Sequence, residues 1–294
     1  MFDCIIVGGG PAGLTAGLYL QRFHRHTRIY DAGQGRALRI WRSHNLPGFP
    51  GGIGGADFLG RLRAQLAEVG GEIVQAEVIA LALDPAGGFT VSTSQGACRA
   101  RTVLLATGAP DHEVDLPGMS ALKQQGLVRE CPICDGHEFS GQRIGVIGGS
   151  VHAAREALFL RHFSDRVSLL PLTRSEDLSD DWQARLKARG IPFVQGGIQS
   201  VGQGAEGVVV KVGEAGQAVA FDVLYSALGC HPVAELGLSL SARCDAGGNL
   251  DIDPHGQTCV AGLYAAGDIT GGLDQIAVAL GQAAIAATAI HNSL

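Results

Sequence analysis

The strongest constraint on the fold is a glycine-rich turn placed between a short apolar segment and a segment with helical spacing. The apolar run from Asp3 to Val7 leads into Gly8-Gly9-Gly10-Pro11-Ala12-Gly13, and helical spacing continues to Phe23. The first glycine makes a tight turn, the second lets a pyrophosphate approach the backbone, and the third packs the helix on the strand. A further strand, Thr27 to Tyr30, ends at Asp31, whose carboxylate can accept from ribose hydroxyls. The pattern predicts a βαβ unit that binds a dinucleotide at the helix N-terminus.

The same pattern recurs in the middle of the chain. A strand from Arg143 to Ile147 runs into Gly148-Gly149-Ser150, followed by helical spacing over 151–163 and a strand over 166–170. Two such units predict an α/β protein with two Rossmann-like nucleotide-binding domains in layered arrangements of the ββα and αβα types. The most economical organisation is a first domain at 1–113 and 242–294, interrupted by a second domain at 114–241.

Other segments fill in these two domains. We expect a helix over 56–69 and strands over 72–83, 88–94 and 101–105 in the first domain. In the second domain, strands are expected over 208–212 and 222–228, and a terminal helix closes the chain.

The second glycine turn departs from the pattern. Ser150 stands where the backbone would approach a pyrophosphate most closely, and the following strand ends in Pro171-Leu172-Thr173 without a carboxylate. Arg174 is the cation nearest to the place of a 2′-phosphate, with Glu176 and Asp177 close behind it. Two interpretations stay open: a nucleotide site of reduced affinity, and a fold that keeps the frame without a working site.

A Cys-x-x-Cys pair, Cys131-Pro132-Ile133-Cys134, lies shortly before the second turn. Two thiols at this spacing can close reversibly into a disulfide, and a suitable environment makes one of them a nucleophilic thiolate. Asp135 follows directly and could give a proton to a leaving thiolate. The alternative is half of a zinc site with His137 as a third ligand, but a four-cysteine site needs a second close pair, which the sequence lacks. We therefore predict a redox dithiol and no metal.

Composition limits the remaining possibilities. A net charge of −6 without a basic run argues against nucleic acid as a partner. The apolar start lacks a basic n-region, and the run 276–290 is too short and mixed for a membrane span, so we expect a cytoplasmic protein that does not enter a membrane. The other cysteines are scattered, which does not resemble a secreted disulfide framework; they are Cys4, Cys98, Cys230, Cys244 and Cys259.

Two single residues carry weaker signals. Cys230, in Gly229-Cys230-His231-Pro232, is a candidate third thiol, and its alternative is a buried residue at a strand end. His44, beside Asn45, is a candidate for lining the first cofactor, and its alternative is a surface histidine.

The motifs taken together resemble those of the low-molecular-weight thioredoxin reductase family of flavoproteins, over nearly the whole chain. Their order along the chain makes the resemblance specific. The matching segments are Gly8 to Gly13, Asn45-Leu46-Pro47-Gly48, Ala106-Thr107-Gly108, Cys131 to Gly136, the second glycine turn, Gly267-Asp268 and Gln275-Ile276-Ala277.

The resemblance implies that the first domain binds FAD and that the protein is a homodimer. Asp31 would hold the adenosine ribose, and Asp268 the ribityl-phosphate region. The family's domains rotate during turnover, so that Cys134 faces the flavin in one arrangement and Cys131 meets the protein substrate in the other. The further cofactor contacts implied are Asn45, Thr107 and Gly108 on the flavin side, Gln275 and Ile276 at the isoalloxazine, and Val78.

The chain also departs from this family. The basic His-Arg-Arg-x-x-x-Arg signature for NADPH is replaced by the stretch 171–177, and Asp274 stands where the family has an arginine. Losing two charge-assisted phosphate contacts of roughly 1.5–3 kcal/mol each would weaken NADPH by roughly 10²–10⁴-fold. NADPH and NADH are therefore doubtful donors, and reduced ferredoxin is an alternative.

The expected function is a flavin-dependent disulfide oxidoreductase. Electrons would pass between FAD and the Cys131–Cys134 pair, and on to a thioredoxin-like protein or a small disulfide. Two alternatives stay open: a dithiol oxidase that uses oxygen, and a flavin-binding redox sensor that does not turn over.

Overall fold

The computed structural model describes residues 1–173 and 178–294, which form two units. Unit 1 comprises Met1–Pro110 and Cys230–Leu294, and unit 2 comprises Asp111–Gly229. Within unit 2 the amide of His112 donates to the carbonyl of Gly229 over 2.9 Å, and within unit 1 the amide of His231 donates to the carbonyl of Pro110 over 3.1 Å. Within each unit, the two positions at which the chain leaves for the other unit and returns from it therefore lie side by side.

The helices and strands are given in chain order. The first part of unit 1 contains β1 (Phe2–Val7), α1 (Pro11–Arg22), β2 (Thr27–Asp31), α2 (Gly55–Glu68), β3 (Ile73–Gln75), β4 (Val78–Leu83), β5 (Phe89–Thr93) and β6 (Gly96–Leu105). Unit 2 contains α3 (Met119–Gln124), β7 (Val128–Arg129), α4 (Pro132–Asp135), β8 (Ile144–Ile147), α5 (Val151–Leu160), β9 (Val167–Leu170), α6 (Asp180–Ala188), β10 (Ile198–Gln203), β11 (Val208–Val212), β12 (Gln217–Phe221) and β13 (Val223–Ser226). The chain then returns to unit 1 with α7 (Glu235–Leu238), β14 (Leu263–Ala265) and α8 (Ile276–Ser293).

Unit 1 is built on one sheet in the order β3-β2-β1-β6-β5-β4, with β14 also paired to β6. Strands β1, β2, β3, β14 and the second half of β6 are parallel, whereas β4, β5 and the first half of β6 form an antiparallel meander. Because side chains alternate along a strand, β1 serves two cores. Cys4 and Ile6 pack toward α1, α2 and α8, and Ile5 and Val7 pack on the opposite face.

Unit 2 has a parallel sheet in the order β7-β13-β8-β9 and a separate antiparallel sheet β10-β11-β12. Val146 and Leu169 face a core that includes residues of α5 and α6. Ile147 and Leu170, which alternate with them, pack with apolar residues of the three-stranded sheet. The predicted α/β class, with two Rossmann-like frames, is confirmed.

Several boundaries differ from the sequence-based expectations. The chain returns to unit 1 at Cys230 and not at 242, because α7 packs against β4 and its neighbours Ala234 and Leu240 belong to a unit 1 core. The single strand expected over 72–83 is two strands, since β3 pairs with β2 in parallel and β4 pairs with β5 antiparallel. Sequence reasoning did not separate α3, α6, β10, β12 and β14 from the surrounding loops.

The expectation that the C-terminal run is too short to cross a membrane is corrected by the length of α8. With 18 residues and a mean hydropathy of 1.2, α8 is long and apolar enough to cross a membrane by length and composition alone. Its buried residues, among them Ala283 and Ile290, pack against α1 within the core of unit 1. A core helix of a soluble protein passes the same test of length and composition, so this one helix is weak evidence for a span.

Candidate functional site

The first glycine turn has the close packing that its sequence predicts. Gly8 has φ +113°, and a Cβ there would collide with the carbonyl oxygen of Ala106 at the end of the neighbouring strand. A Cβ at Gly13 would collide with the carbonyl oxygen of Gly8. Both positions therefore require glycine. Gly10 is different, because a Cβ built there would meet nothing within 4 Å.

The N-terminus of α1 is suited to an anion. Gly10 is its N-cap residue, Pro11 occupies the first turn, and no side chain among the described residues caps it. The first-turn N–H groups of a helix have no partner within the helix, and they carry a partial positive charge. Ala12 is buried and lies beside Gly267, where an added Cβ would be 3.1 Å from that of Ala12. The turn and the Gly267-Asp268 segment thus come together.

Asp31 lies directly beside this turn. A Cβ at Gly9 would collide with the Asp31 carboxylate, which shows how closely the end of β2 approaches the glycines. The amide of Gly33 donates to Asp31 Oδ1 over 3.0 Å, and Arg63 Nη2 of α2 lies 3.1 Å from Asp31 Oδ2. The carboxylate is where the sequence places it, and Arg63 is a partner that the sequence did not reveal.

Two residues predicted to lie at the flavin are joined by a long-range hydrogen bond. Asn45 Nδ2 donates to Gln275 Oε1 over 2.8 Å, and Ser43 Oγ donates to Asn45 Oδ1 over 2.8 Å. Gln275 is the N-cap residue of α8, and Ile276 begins the helix. The structure therefore brings the Asn45 loop to the start of the last helix.

The remaining predicted cofactor residues occupy different settings. Thr107 Oγ1 donates to the carbonyl of Val233 over 2.6 Å, and Gly108, at φ +73°, accepts from the Val233 amide over 3.0 Å. These bonds secure the returning chain against unit 1. Val78 begins the edge strand β4 with its side chain buried in a core, so its backbone is the part that a ligand could reach. His44 is exposed in a loop beside Gly52.

Asp268 belongs to a charged network. Arg36 Nη1 lies 3.1 Å from Asp268 Oδ2 and 3.4 Å from Asp274 Oδ2, and Cys230 Sγ donates to Asp274 Oδ2 over 3.4 Å. The three charged side chains are half-buried, with 22–29% of each exposed. Arg36 thus balances Asp274, the residue that replaces an arginine of the resembling family. Neither Arg36 nor its pairing could be read from the local sequence, because its partners are far along the chain.

In unit 2, Cys131 and Cys134 form a disulfide with their Cα atoms 5.3 Å apart. Cys131 is the N-cap residue of α4, Pro132 is in its first turn, and the amide of Cys134 donates to the Cys131 carbonyl over 3.0 Å. The short helix therefore presents both sulfurs at the spacing that ring closure needs.

Cys4 of unit 1 is a different kind of cysteine. Burial raises the pKa of the Cys4 thiol to about 12, so that thiol stays protonated at neutral pH.

Asp135, at the end of α4, is buried against two strands. Tyr225 Oη donates to Asp135 Oδ1 over 2.6 Å, and Arg129 Nε lies 3.4 Å from Asp135 Oδ2. Tyr225 and Arg129 face each other in register on β13 and β7. Burial, and after it the charge of Asp135, raises the pKa of Tyr225 well above its usual range, so the phenol keeps its proton and donates.

The ring of Phe139 completes this cluster. It packs edge-on to Tyr225 with ring centroids 6.2 Å apart, and the Arg129 guanidinium carbon lies 5.5 Å from its centroid. Sequence reasoning missed Tyr225, because an aromatic residue in a buried strand normally predicts core packing alone. It also missed Arg129 and Phe139, which belong to no local motif.

The second glycine turn keeps the same backbone frame, but the N-terminus of the helix that follows it, α5, is capped by a side chain. Gly148 has φ +139°, and a Cβ there would lie 2.9 Å from the carbonyl oxygen of Ala227. Ser150 is the N-cap residue of α5, and its Oγ accepts from the Ala153 amide over 3.3 Å. One first-turn N–H group is thus satisfied by the protein itself. Arg174, Glu176 and Asp177 lie outside the described residues.

The comparisons with known proteins agree with this arrangement. Residues 2–283 match the family described as pyridine nucleotide-disulphide oxidoreductase. A thioredoxin reductase of Treponema pallidum is 30% identical over 98% of this chain and 95% of its own length. A thioredoxin reductase of Streptomyces coelicolor is 31% identical over 91% of this chain and 85% of its own length.

Solved structures show the same likeness. Thioredoxin reductase from Streptococcus pyogenes has a TM-score of 0.90 and 27% identity, covering 99% of this chain and 97% of that one. The crystal structure of HlmI has a TM-score of 0.90 and 28% identity, covering 99% and 92%. The matched segment includes both glycine turns and the disulfide. The chain therefore belongs to the pyridine nucleotide-disulphide oxidoreductase family and is an oxidoreductase similar to the thioredoxin reductases.

Proposed function

We propose that this protein is an FAD-dependent disulfide oxidoreductase in which the Cys131–Cys134 pair exchanges electrons with the flavin and with an outer disulfide or dithiol. The observation that carries this proposal is the closed disulfide at the start of α4. A pair that closes within a four-residue segment can also open without unfolding the unit. Reversible opening is what a dithiol relay needs.

Features of the first unit support the proposal that it binds FAD. Gly10 leaves open space at the uncapped N-terminus of α1, where a pyrophosphate can accept from backbone N–H groups. Asp31 lies beside the turn to bind the adenosine ribose. When bound, FAD would supply two-electron redox chemistry. The residues proposed to hold it are Gly8, Gly10, Pro11, Ala12, Gly13, Asp31, Asn45, Val78, Thr107, Gly108, Asp268, Gln275 and Ile276.

The outer reaction is thiol–disulfide exchange. In the reductive direction, the Cys131 thiolate attacks a substrate disulfide, forming a mixed disulfide and releasing one substrate thiolate. Cys134 then attacks Cys131 Sγ, which restores the protein disulfide and releases the second substrate thiolate. We propose a thioredoxin-like protein or a small disulfide as the substrate, since relatives named thioredoxin reductase match nearly the whole chain.

The electron donor is proposed to differ from that of an NADPH-dependent reductase. The Ser150 hydroxyl takes up a first-turn N–H group of α5, where a pyrophosphate would otherwise bind. NADPH and NADH are therefore expected to reduce this protein poorly. Two other electron donors are to be compared with NADPH and NADH. One is reduced ferredoxin, and the other is a substrate dithiol that passes its electrons to the Cys131–Cys134 disulfide. The Ser150 cap also favours a second candidate function, a dithiol oxidase that passes electrons from a substrate dithiol through FAD to oxygen.

One titration tests these assignments. Under anaerobic conditions, NADPH, NADH, reduced ferredoxin or dithiothreitol is added to the flavin-loaded protein, and the flavin absorbance is followed. We expect rapid bleaching by at least one donor other than a nicotinamide nucleotide, and reoxidation by oxygen or by a disulfide. Fast bleaching by NADPH would contradict the proposed donor preference, and failure to bind FAD would contradict the proposed function.

The control is the variant Cys134→Ser. It keeps the flavin site in unit 1 but removes the disulfide, so dithiothreitol should no longer bleach the flavin through the pair. Bleaching at the wild-type rate would show that electrons bypass Cys131 and Cys134. We also propose that the protein is a cytoplasmic homodimer, which size-exclusion chromatography with light scattering would test for the oligomeric state.

A further inference from the structure

Arg36 and its two carboxylate partners carry an inference about the FAD site, and this inference rests on the proposed function. Arg36 Nη1 lies 3.1 Å from Asp268 Oδ2 and 3.4 Å from Asp274 Oδ2. Cys230 Sγ donates to the same oxygen of Asp274 over 3.4 Å. A single cation therefore serves both carboxylates, and the three charged side chains together keep an excess of negative charge at neutral pH.

The segment that bears Asp268 is held beside the first glycine turn. An added Cβ at Gly267 would be 3.1 Å from the Cβ of Ala12, in the first turn of α1. The amide of Gly267 donates to Gln282 Oε1 of α8 over 2.7 Å, which fixes the segment from its other side. Asp268 is therefore kept close to the helix N-terminus at which the FAD pyrophosphate is proposed to bind.

The charges at this place oppose one another. The pyrophosphate of FAD is an anion, and so are both carboxylates of the cluster. With 22–29% of each charged side chain exposed, water screens these charges only in part. Removing the cation from such a cluster leaves uncompensated carboxylates, which is costly. Arg36 thus lowers the negative charge that an incoming pyrophosphate meets.

The cation comes from a different segment than in the resembling family. That family has an arginine directly before the residue that corresponds to Gln275, whereas this chain has Asp274 there. Arg36 begins a short 3₁₀ helix, Arg36–Arg39, in the loop after β2. The fold brings this loop to the start of α8, where Arg36 contacts Asp274. The positive charge missing at position 274 is therefore present nearby in space.

We propose that Arg36 is a positioning residue for FAD. It balances Asp268 and Asp274, and it holds the Asp268 carboxylate in place for the ribityl-phosphate region of the cofactor. The cation that the resembling family carries at position 274 is thereby supplied from position 36, so FAD affinity in this chain depends on Arg36.

The loop has other attachments, which makes a substitution at Arg36 informative. Asn45 Nδ2, from the same loop, donates to Gln275 Oε1 over 2.8 Å, and Ala37 is buried in a core of unit 1. Both attachments remain when the Arg36 side chain is shortened. The loop should therefore stay in place in Arg36→Met, and the change in FAD affinity should report the lost charge.

The test is a titration of apoprotein with FAD at low and at high ionic strength, followed by flavin fluorescence. At low ionic strength, Arg36→Met should lower FAD affinity by roughly ten- to a hundredfold, the effect of losing a contact between charged groups. This loss should shrink at high ionic strength, because salt screens the repulsion between the carboxylates and the pyrophosphate. Arg36→Lys keeps the charge and should retain most of the affinity.

Two double variants distinguish charge from packing. Arg36→Met with Asp274→Asn removes a cation and a carboxylate together, so the local charge returns to that of the wild type. Arg36→Met with Asp274→Arg moves the cation to the position that it has in the resembling family. Both should recover most of the affinity lost in Arg36→Met. A role in packing alone predicts no recovery, because neither variant restores the side chain at position 36.

The matched control is Arg28→Met. Arg28 pairs with Glu72 over 2.8 Å in the same unit, and 29% of its side chain is exposed, compared with 25% for Arg36. Losing this pair should leave FAD affinity and its salt dependence unchanged. If Arg36→Met fails to fold, as measured by urea unfolding of the apoprotein, Asp274→Asn alone is used. It removes a carboxylate and should raise FAD affinity severalfold at low ionic strength.

Three results would overturn the inference. They are unchanged FAD affinity in Arg36→Met, a loss that neither double variant recovers, and a loss that is equal at low and high ionic strength. Should Asp274→Asn serve as the substitute, unchanged or weaker FAD binding would have the same meaning. If the wild type itself does not bind FAD, the proposed function fails, and the wild-type titration alone distinguishes that outcome from the others.

Discussion

The two glycine turns share a frame but use the N-terminus of their helix differently. Gly10 and Ser150 are both N-cap residues, of α1 and α5. Gly10 has no side chain, and among the described residues none caps α1, whereas Ser150 Oγ accepts from the Ala153 amide over 3.3 Å. One helix start is left available to a ligand, and the other is partly satisfied by the protein.

The third position of the turns differs as well. Gly13 lies so close to the Gly8 carbonyl that a Cβ would collide with it, whereas the corresponding Ala153 of unit 2 carries its Cβ in a fully buried position. The same βαβ frame is therefore packed more tightly in unit 1 than in unit 2. A glycine pattern shows the frame, but the contacts at its individual positions decide whether a ligand is bound.

The largest expected effect comes from filling the tight position. Gly13→Ala should destabilise unit 1 by about 3 kcal/mol, since the new methyl group forces α1 away from the end of β1. The matched change Ala153→Gly in unit 2 should cost about 1 kcal/mol, from helix propensity. Urea unfolding can distinguish the units, because the chain's 2 tryptophans, Trp41 and Trp182, lie one in each. Equal costs in the two units would refute the difference in packing.

An intermediate effect is expected at the N-cap positions. The methyl group of Gly10→Ala would extend into open space, so the unfolding midpoint should hardly change. The same methyl group should lower the binding affinity for FAD by about tenfold, or ~1.4 kcal/mol. Ser150→Ala should instead cost unit 2 about 1 kcal/mol of stability and leave FAD affinity unchanged. Flavin fluorescence titration and urea unfolding measure the two quantities. The comparison breaks down if Ser150→Ala alters FAD affinity as much as Gly10→Ala does.

The smallest expected effect concerns pH and unit 2 alone. Hydrogen bonds from Arg143 lower the pKa of Asp222 below its ordinary value of 3.8. A carboxylate with a lowered pKa stabilises the folded state above its ordinary pKa, and this contribution is lost as the pH falls below it. In Asp222→Asn, the urea unfolding midpoint reported by Trp182 fluorescence should therefore depend less on pH below 3.8 than it does in the wild type. An unchanged acid dependence would show that other groups control it.

Much of the frame was predictable because its signals are local. The β1–α1–β2 unit was predicted almost at its observed bounds, since its strands are short apolar runs and a glycine turn separates β1 from α1. By contrast, α6 buries only Leu186 among its residues, so its sequence carries little apolar periodicity. The split between β3 and β4 depends on which strands they pair with, and no local pattern encodes a partner.

The residues of the candidate site were likewise predictable where they share a local motif and unpredictable where they lie far apart in the sequence. Cys131 and Cys134 were predictable because their spacing alone permits a ring. Tyr225, by contrast, is 90 residues from Asp135 in the sequence and lies in a fully buried strand, so only the sheet brings its hydroxyl to the carboxylate. Arg36 is likewise 232 residues from Asp268. Partners at such distances follow from topology and not from motifs.

The paired crossings between the units have a consequence for how such a chain can be rearranged. Pro110 and His231 lie within hydrogen-bonding distance in unit 1, as do His112 and Gly229 in unit 2. In genetic terms, residues 111–229 form a cassette whose two ends are adjacent. Excising the cassette leaves ends that a very short join can close, and another domain with adjacent termini can be inserted at the same place.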